Sequence, residues 1–278
     1  MAEKVVVITG ATSGIGEVAA DRLAAKGFRI VFVARDRTRG EATLEHLRAI
    51  AGGPRHRVFF ADLSRISEMK RVAAEIAQAE PEIDVLVNNA GALFNSRTVT
   101  EDGLEKTFAL NHMSYFVMTN LLRSCLKAGA RVVSTASDAH KGAHLDFADL
   151  QSARGYSGYG AYGRSKLCNI LFTRELARLL VGTGVTANCL HPGFVATRFG
   201  DQSGGLLSLG IRAAKSFAIS PEQGAETIVY LASSPEVASI SGEYFYKCRP
   251  AAPTREAQDD AAAKRLWEIS AEIAGKAA

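Results

Sequence analysis

The sequence predicts an α/β protein: a single domain built on a doubly wound parallel sheet of seven strands flanked by helices. Three observations carry this. Short Val- and Ile-rich runs alternate with segments of helical period through most of the chain. Runs such as Val5-Val6-Val7-Ile8 and Val85-Leu86-Val87 lack polar alternation, as strands buried on both faces of a parallel sheet do. The first run leads directly into a glycine-rich turn that opens a helix.

Strands are expected at Lys4–Thr9, Arg29–Ala34, Arg57–Phe60, Asp84–Asn88, Ala130–Thr135, Val185–His191 and Glu243–Lys247. Helical spacing marks Ile15–Lys26, Arg37–Ile50, Ser67–Ala79, Gly103–Leu126, Ala161–Val181 and Pro221–Ala232. No internal repeat, low-complexity tract or Pro/Gly linker divides residues 1–278, so one domain is expected. Two connections break the rhythm, at 141–160 and 199–220. Connections of that length serve as lids or substrate-binding loops, with ordinary packing over the core as the alternative.

Composition narrows the function. The chain has 278 residues, 47% hydrophobic and 22% charged, which is ordinary for a globular domain of this size. A net charge of +4 with scattered Lys and Arg speaks against a nucleic-acid face. Cys125, Cys168, Cys189 and Cys248 show no Cys-x-x-Cys spacing and read as buried thiols in a reducing compartment. His140 and His144 sit four apart in an expected loop without a nearby cysteine, so no metal site is read there. The first strand begins at Lys4, leaving no room for a signal peptide, and no run of 18 apolar residues occurs. A soluble cytoplasmic protein without a transmembrane segment is expected.

The glycine turn suggests the ligand. In Thr9-Gly10-Ala11-Thr12-Ser13-Gly14-Ile15-Gly16, the glycines let backbone N–H groups approach a pyrophosphate, and the helix N-terminus favours its charge. Thr12 and Ser13 can add hydroxyl donors, and Ile15 sits within the same turn. The spacing is one residue longer than the common dinucleotide fingerprint. The second strand ends Val33-Ala34-Arg35-Asp36-Arg37, with Arg39 close behind. An acid at the Ala34 position would bind a ribose diol, whereas Arg35 suits a 2′-phosphate. NADP(H) is therefore favoured over NAD(H); Asp36 is the competing acid if the register lies two residues further on.

Tyr162 and Lys166, four apart on an expected helix, share one face about 6 Å apart along its axis. A phenol of pKa near ~10 is a poor base at neutral pH. An adjacent ammonium, joined by an oxidised nicotinamide ring, is expected to lower that value and let Tyr162 move a proton.

With this pair, the whole sequence resembles the short-chain dehydrogenase/reductase family. Asp62-Leu63 follows the third strand, Asn88-Asn89-Ala90-Gly91 ends the fourth, and Asn111 lies in the long helix after it. Ser137 follows the fifth strand, and His191-Pro192-Gly193-Phe194-Val195-Ala196-Thr197 follows the sixth. Asn111-His112-Met113-Ser114-Tyr115-Phe116, Ser137-Asp138-Ala139-His140, Ser165-Lys166-Leu167-Cys168-Asn169, Gly242-Glu243-Tyr244-Phe245 and Leu266-Trp267-Glu268-Ile269-Ser270 look like its retinol-dehydrogenase and WW-domain-oxidoreductase-like branch. Ala136 replaces a serine common before the catalytic one, and no amino-terminal membrane anchor is read, which argues against a retinoid role.

The resemblance implies a Rossmann fold and hydride transfer between nicotinamide and an apolar aldehyde, ketone or alcohol. It implies Tyr162 as acid/base, Lys166 also on the nicotinamide ribose, Ser137 on the substrate oxygen and Asn111 behind a water relay. Asp62 and Leu63 would meet adenine, and Asn89, Ala90 and Gly91 would line the cofactor. Pro192, Gly193, Val195 and Thr197 would meet the nicotinamide end. A homodimer through the helices bearing Asn111 and Tyr162 is the default. Bland readings stand beside these: Asn111 as a buried group satisfied by backbone, Ser137 as a strand terminator, and His112 as a packing residue. The competing function is a catalytically silent NADP(H)-binding sensor or scaffold.

Overall fold

The computed structural model describes residues 3–51, 55–194 and 219–276. Its sheet is built from β1 (Val5–Thr9), β2 (Arg29–Ala34), β3 (Arg57–Phe60), β4 (Ile83–Asn88), β5 (Leu126–Thr135), β6 (Thr186–His191), β7 (Tyr244–Tyr246) and β8 (Arg249–Pro250). The strand order is β3-β2-β1-β4-β5-β6-β7-β8. The pairs from β3 to β7 are parallel; β8 returns antiparallel to β7. The doubly wound sheet is therefore as expected, with eight strands in place of seven. The extra strand comes from a two-residue hairpin at Lys247 and Cys248, both with positive φ (49° and 61°). Such turns ordinarily advertise themselves with Gly or Asn, and this one has neither.

Among the described residues the α-helices are α1 (Gly14–Ala25), α2 (Arg37–Ala51), α3 (Ile66–Ala79), α4 (Lys106–Phe108), α5 (Ser114–Leu122), α6 (Gly158–Leu179), α7 (Pro221–Ser233) and α8 (Asp260–Lys276). One apolar core joins α3, α5, α6 and α8 to one face of the sheet; a second joins α1, α2 and α7 to the other. Every residue of β1 is buried, which is why its side chains need no polar alternation. Ile66, Met69, Val72, Ala73 and Ile76 give α3 its buried stripe, each large side chain contributing about 1.5–3 kcal/mol of apolar burial.

The expected helix Gly103–Leu126 is broken into pieces. Gly103 has φ +77° and lies in a turn, and the Glu105 carboxylate then caps α4 by accepting the Thr107 and Phe108 N–H groups at 2.7 and 2.8 Å. A π turn, Ala109–Met113, separates α4 from α5, and Leu126 belongs to β5 through its pairing with Ile83. Conversely, α6 starts earlier than expected because Ser157 caps it, which brings Tyr159 onto the helix.

Leu145, Phe147 and Leu150, from the first long connection, pack against the core. The Tyr156 hydroxyl donates to the Phe94 carbonyl at 2.7 Å. The second connection, 199–220, lies outside the described residues up to residue 218. Among the described residues, no helix is long and apolar enough to cross a membrane.

Candidate active site

Strand order reverses between β1 and its neighbours β2 and β4, and the carboxyl ends of such strands form the ligand crevice of a doubly wound sheet. The glycine turn leaves β1 at that point. Gly10 and Gly14 have φ of +72° and +61°, open to glycine and strained for other residues. A Cβ on Gly10 would lie 2.8 Å from Ala90 Cα, and one on Gly16 would overlap the Gly10 carbonyl and the Asn89 amide.

That closeness is maintained by hydrogen bonds. Asn89 Nδ2 donates to the Thr9 and Gly10 carbonyls at 3.3 and 3.2 Å, and the Asn89 and Ala90 N–H groups donate to Thr9 Oγ1 at 3.0 and 3.1 Å. Thr135 Oγ1 donates in turn to Asn89 Oδ1 at 3.1 Å. The Asn89 side chain thus braces the turn. Ser13 stands at the N-cap of α1, and its hydroxyl makes no capping bond. The first turn of α1 therefore fits a bound anion. Thr12 is half-buried at its mouth, and Ile15 packs against the core.

Arg35 is exposed just past β2. The Asp36 carboxylate accepts the Arg39 N–H at 2.8 Å and so caps α2, which assigns the competing acid a structural task. Beyond β3, Asp62 Oδ1 accepts the Ser64 N–H and hydroxyl at 3.0 and 2.8 Å, while Leu63 is buried in the core. Pro192 and Gly193 lie half-buried after β6; Val195 and Thr197 lie outside the described residues.

Four catalytic candidates converge from the π turn (Asn111), the end of β5 (Ser137) and α6 (Tyr162 and Lys166). A Cβ on Gly91 would lie 3.2 Å from Asn111 Oδ1 and 3.6 Å from Lys166 Nζ. Asn111, fully buried, accepts the Ala92 N–H and donates to the Ala92 carbonyl, both at 2.9 Å, and donates to Ser165 Oγ at 3.0 Å. Ser165 Oγ donates on to the Tyr162 carbonyl at 2.7 Å. The bland reading of Asn111 describes these bonds, yet they also tie the segment after β4 to the turn of α6 that bears the tyrosine. Ser137 Oγ accepts the Ala139 N–H at 3.2 Å, and Ser137 acts to lower the Tyr162 phenol pKa against the larger effect of burial.

Lys166 is 3% exposed, with Nζ donating to the Thr135 carbonyl at 2.8 Å and lying 5.5 Å from the Tyr162 ring centroid. The electrostatics add burial, which helical spacing does not reveal. Burial pushes the Lys166 ammonium down from 10.5 to about 7. Burial also pushes the Tyr162 phenol upward, the Ser137 hydrogen bond pulling the other way. The adjacent lysine does not win, because desolvation disfavours both charged forms at once. In these surroundings the phenol holds its proton.

Several contributors have no sequence signal. Thr135 acts through a backbone carbonyl, and Ser165 acts through a bond to a main-chain atom. His112 is fully buried, its Nε2 2.9 Å from Ser270 Oγ, and burial pushes its pKa down to about 4. It belongs to the packing between the π turn and α8.

Comparison with known proteins agrees with this fold. The family model described as short chain dehydrogenase matches residues 4–204. Retinol dehydrogenase 14 of Mus musculus is 41% identical, over 98% of this chain and 86% of its own. An uncharacterized protein from Mycobacterium paratuberculosis has a solved structure with TM-score 0.79 and 32% identity, covering 99% of this chain and 94% of that one. A short chain dehydrogenase from Burkholderia cenocepacia, solved in complex with NADP, gives TM-score 0.71 at 26% identity over 87% of this chain and 95% of its own.

Proposed function

Because this chain belongs to the short-chain dehydrogenase/reductase family, in its retinol-dehydrogenase-like branch, we propose that it reduces an apolar aldehyde or ketone with NADPH, or runs the reverse oxidation. The observation that carries the reading is the meeting of Tyr162, Ser137 and Lys166: a buried phenol on which Ser137 acts electrostatically, with a buried lysine nitrogen 5.5 Å from its ring.

The residues fit a dinucleotide. The turn Gly10–Gly16, with Thr12 and Ser13, would hold the pyrophosphate at the N-terminus of α1. Asn89 keeps that turn in shape, and Ala90 and Gly91 leave room beside it. Arg35 would pair with a 2′-phosphate, which favours NADP(H), because the Asp36 carboxylate is occupied in capping α2. Asp62 and Leu63 would border the adenine; Lys166 would reach the nicotinamide ribose; Pro192 and Gly193 would border the nicotinamide. When bound there, the nicotinamide supplies or accepts the hydride.

Tyr162 supplies the proton. A phenol that keeps its proton suits donation to a carbonyl oxygen as that oxygen gains negative charge. Ser137, beside the same phenol, would hold the substrate oxygen, and Asn111 fixes the backbone behind both while supporting the water relay. Two exposed aromatics favour an apolar substrate. Tyr159 (62% exposed) lies one helical turn before Tyr162, and Phe194 (54%) follows Gly193.

The test is NADPH and NADH consumption, side by side, with long-chain, aromatic and terpenoid aldehydes and ketones. NADPH should be the better reductant. Tyr162→Phe should lower kcat/KM by about 10²–10⁴-fold while NADPH affinity stays near wild type. NADPH binding without turnover of any carbonyl would favour the silent binding protein; loss of NADPH binding in the variant would remove Tyr162 from its assigned role.

A further inference from the structure

We propose that His191 is a positioning residue of the Tyr162 site: one ring nitrogen fastens the loop bearing Ser137 to the turn bearing Pro192 and Gly193, so that the two move as one piece. The proposal rests on the oxidoreductase reading above. His191 ends β6 and is buried. Its Nδ1 accepts two backbone N–H groups, from Asp138 at 3.2 Å and from Gly193 at 3.3 Å. A nitrogen that accepts must be unprotonated, so the ring is neutral with its proton on Nε2, 3.8 Å from Asp138 Oδ2. Tyr246 stacks on the ring at 4.9 Å between centroids and 22° between planes, which fixes its orientation.

The Asp138 N–H belongs to the same peptide unit as the Ser137 carbonyl. That carbonyl is held from the other side by His140, whose Nδ1 lies 2.7 Å away and whose Nε2 accepts the Thr254 N–H at 3.3 Å. The plane that sets the direction of the Ser137 side chain is therefore gripped by two imidazoles. Only His191 also reaches the other loop. Gly193, with φ +95° and Ile219 packed where a Cβ would stand, has little freedom to turn its N–H elsewhere.

Protonation would place a third N–H where two already point. Burial is the largest influence on the His191 ring and keeps its pKa below 6.5; Asp138 works against this, while Lys141 and His140 add to the lowering. From β7, Tyr246 faces the ring and the Tyr244 hydroxyl donates to Asp138 Oδ1 at 3.4 Å. The Lys247 ammonium lies 5.3 Å from the Tyr246 ring centroid. The bridge thus holds at neutral pH and opens on the acid side.

The test compares His191→Leu, which removes the acceptor, with His191→Asn. Asn Oδ1 stands as many bonds from Cα as His Nδ1, accepts the N–H two residues on as an Asx turn does, and does not titrate. Carbonyl reduction should fall about 10–100-fold in kcat for the leucine variant, as expected for misplaced reacting groups. Asparagine should recover most of that loss and shift the acid limb of the pH profile to lower pH. Amide hydrogen exchange at Asp138 and Gly193 gives a readout free of turnover: faster with leucine, near wild type with asparagine. Equal impairment of both variants, an acid limb unchanged by asparagine, or amide protection unchanged by leucine would overturn the bridge. Should leucine prevent folding, the asparagine profile decides alone. Should the wild type reduce no carbonyl, the oxidoreductase reading fails, and amide exchange still decides the bridge.

Discussion

Two lysines show how environment sets a residue's chemistry here. Lys127, beside Asp84 at 2.9 Å and near Glu82, has its pKa raised by those partners. Lys166, bonded to a carbonyl and surrounded by Tyr115 and Tyr162, has its pKa lowered to about 7. The unfolded chain would keep the Lys166 proton up to 10.5. Between those values the unfolded state binds more protons, so stability rises with pH across that window. Below pH 7 both states are protonated, and the full cost of burying an ammonium is borne. We therefore expect Lys166→Met, which cannot be charged, to be more stable than wild type at pH 6 without nucleotide. The margin should shrink steadily towards pH 10.5, and turnover should be lost. Denaturant unfolding at pH 6, 8 and 9.5 measures the margin; a variant less stable than wild type at pH 6 would mean that the bond to Thr135 outweighs the desolvation.

At the scale of elements, the sequence was most legible where one constraint dominates. The run Val5–Ile8 has to be a strand buried on both faces, and the glycine turn after it has to approach β4 closely. Other features leave no mark on the pattern. The π turn at Ala109–Met113 adds a residue to a helix without changing which residue types are apolar, so the expected helix ran through it. The hairpin at Lys247 and Cys248 uses residues that rarely take positive φ, and the expected strand count stopped at seven. The Asp36 ambiguity turned on where a carboxylate points, which only the α2 cap reveals. Burial raises the tyrosine pKa, an influence that adjacency in a helix does not reveal. The glycine turn offers the sharpest check on an element. A methyl group at position 16 would meet backbone oxygen and a braced amide, neither of which can swing aside. Gly16→Ala should cost about 1–3 kcal/mol, the usual range for overpacking, and should abolish measurable NADPH binding. Urea unfolding and nucleotide titration read the two effects, and a variant indistinguishable from wild type would show slack in the turn.

At the scale of the whole molecule, the question is what covers the helices that the family resemblance would pair in a dimer. Within α6, only Tyr159 and Arg178 are exposed, at opposite ends. The face it shares with α5 is occupied by α8. Trp267 stacks on Phe172 with 5.8 Å between centroids and 5° between planes, and meets Phe116 edge-on at 4.9 Å. Ser270 Oγ reaches His112 in the π turn. The carboxyl-terminal helix thus fills from within the same chain the surface that a second copy would need. Stable dimers need about 800 Å² per partner of complementary surface, and α6 does not present it while α8 is docked. We expect the full chain to sediment as a single copy at about 10 µM, a concentration at which an interface of that size would associate. Trp267→Ala should cost about 2–3 kcal/mol, less than a fully enclosed tryptophan because the ring is only half-buried. Deleting residues 260–278 should bare Phe116 and Phe172 and drive the chain into dimers or larger species. Sedimentation velocity separates the cases: a stable dimer of the full chain would place the interface elsewhere, and a folded, monomeric truncation would show that α8 covers no adhesive face.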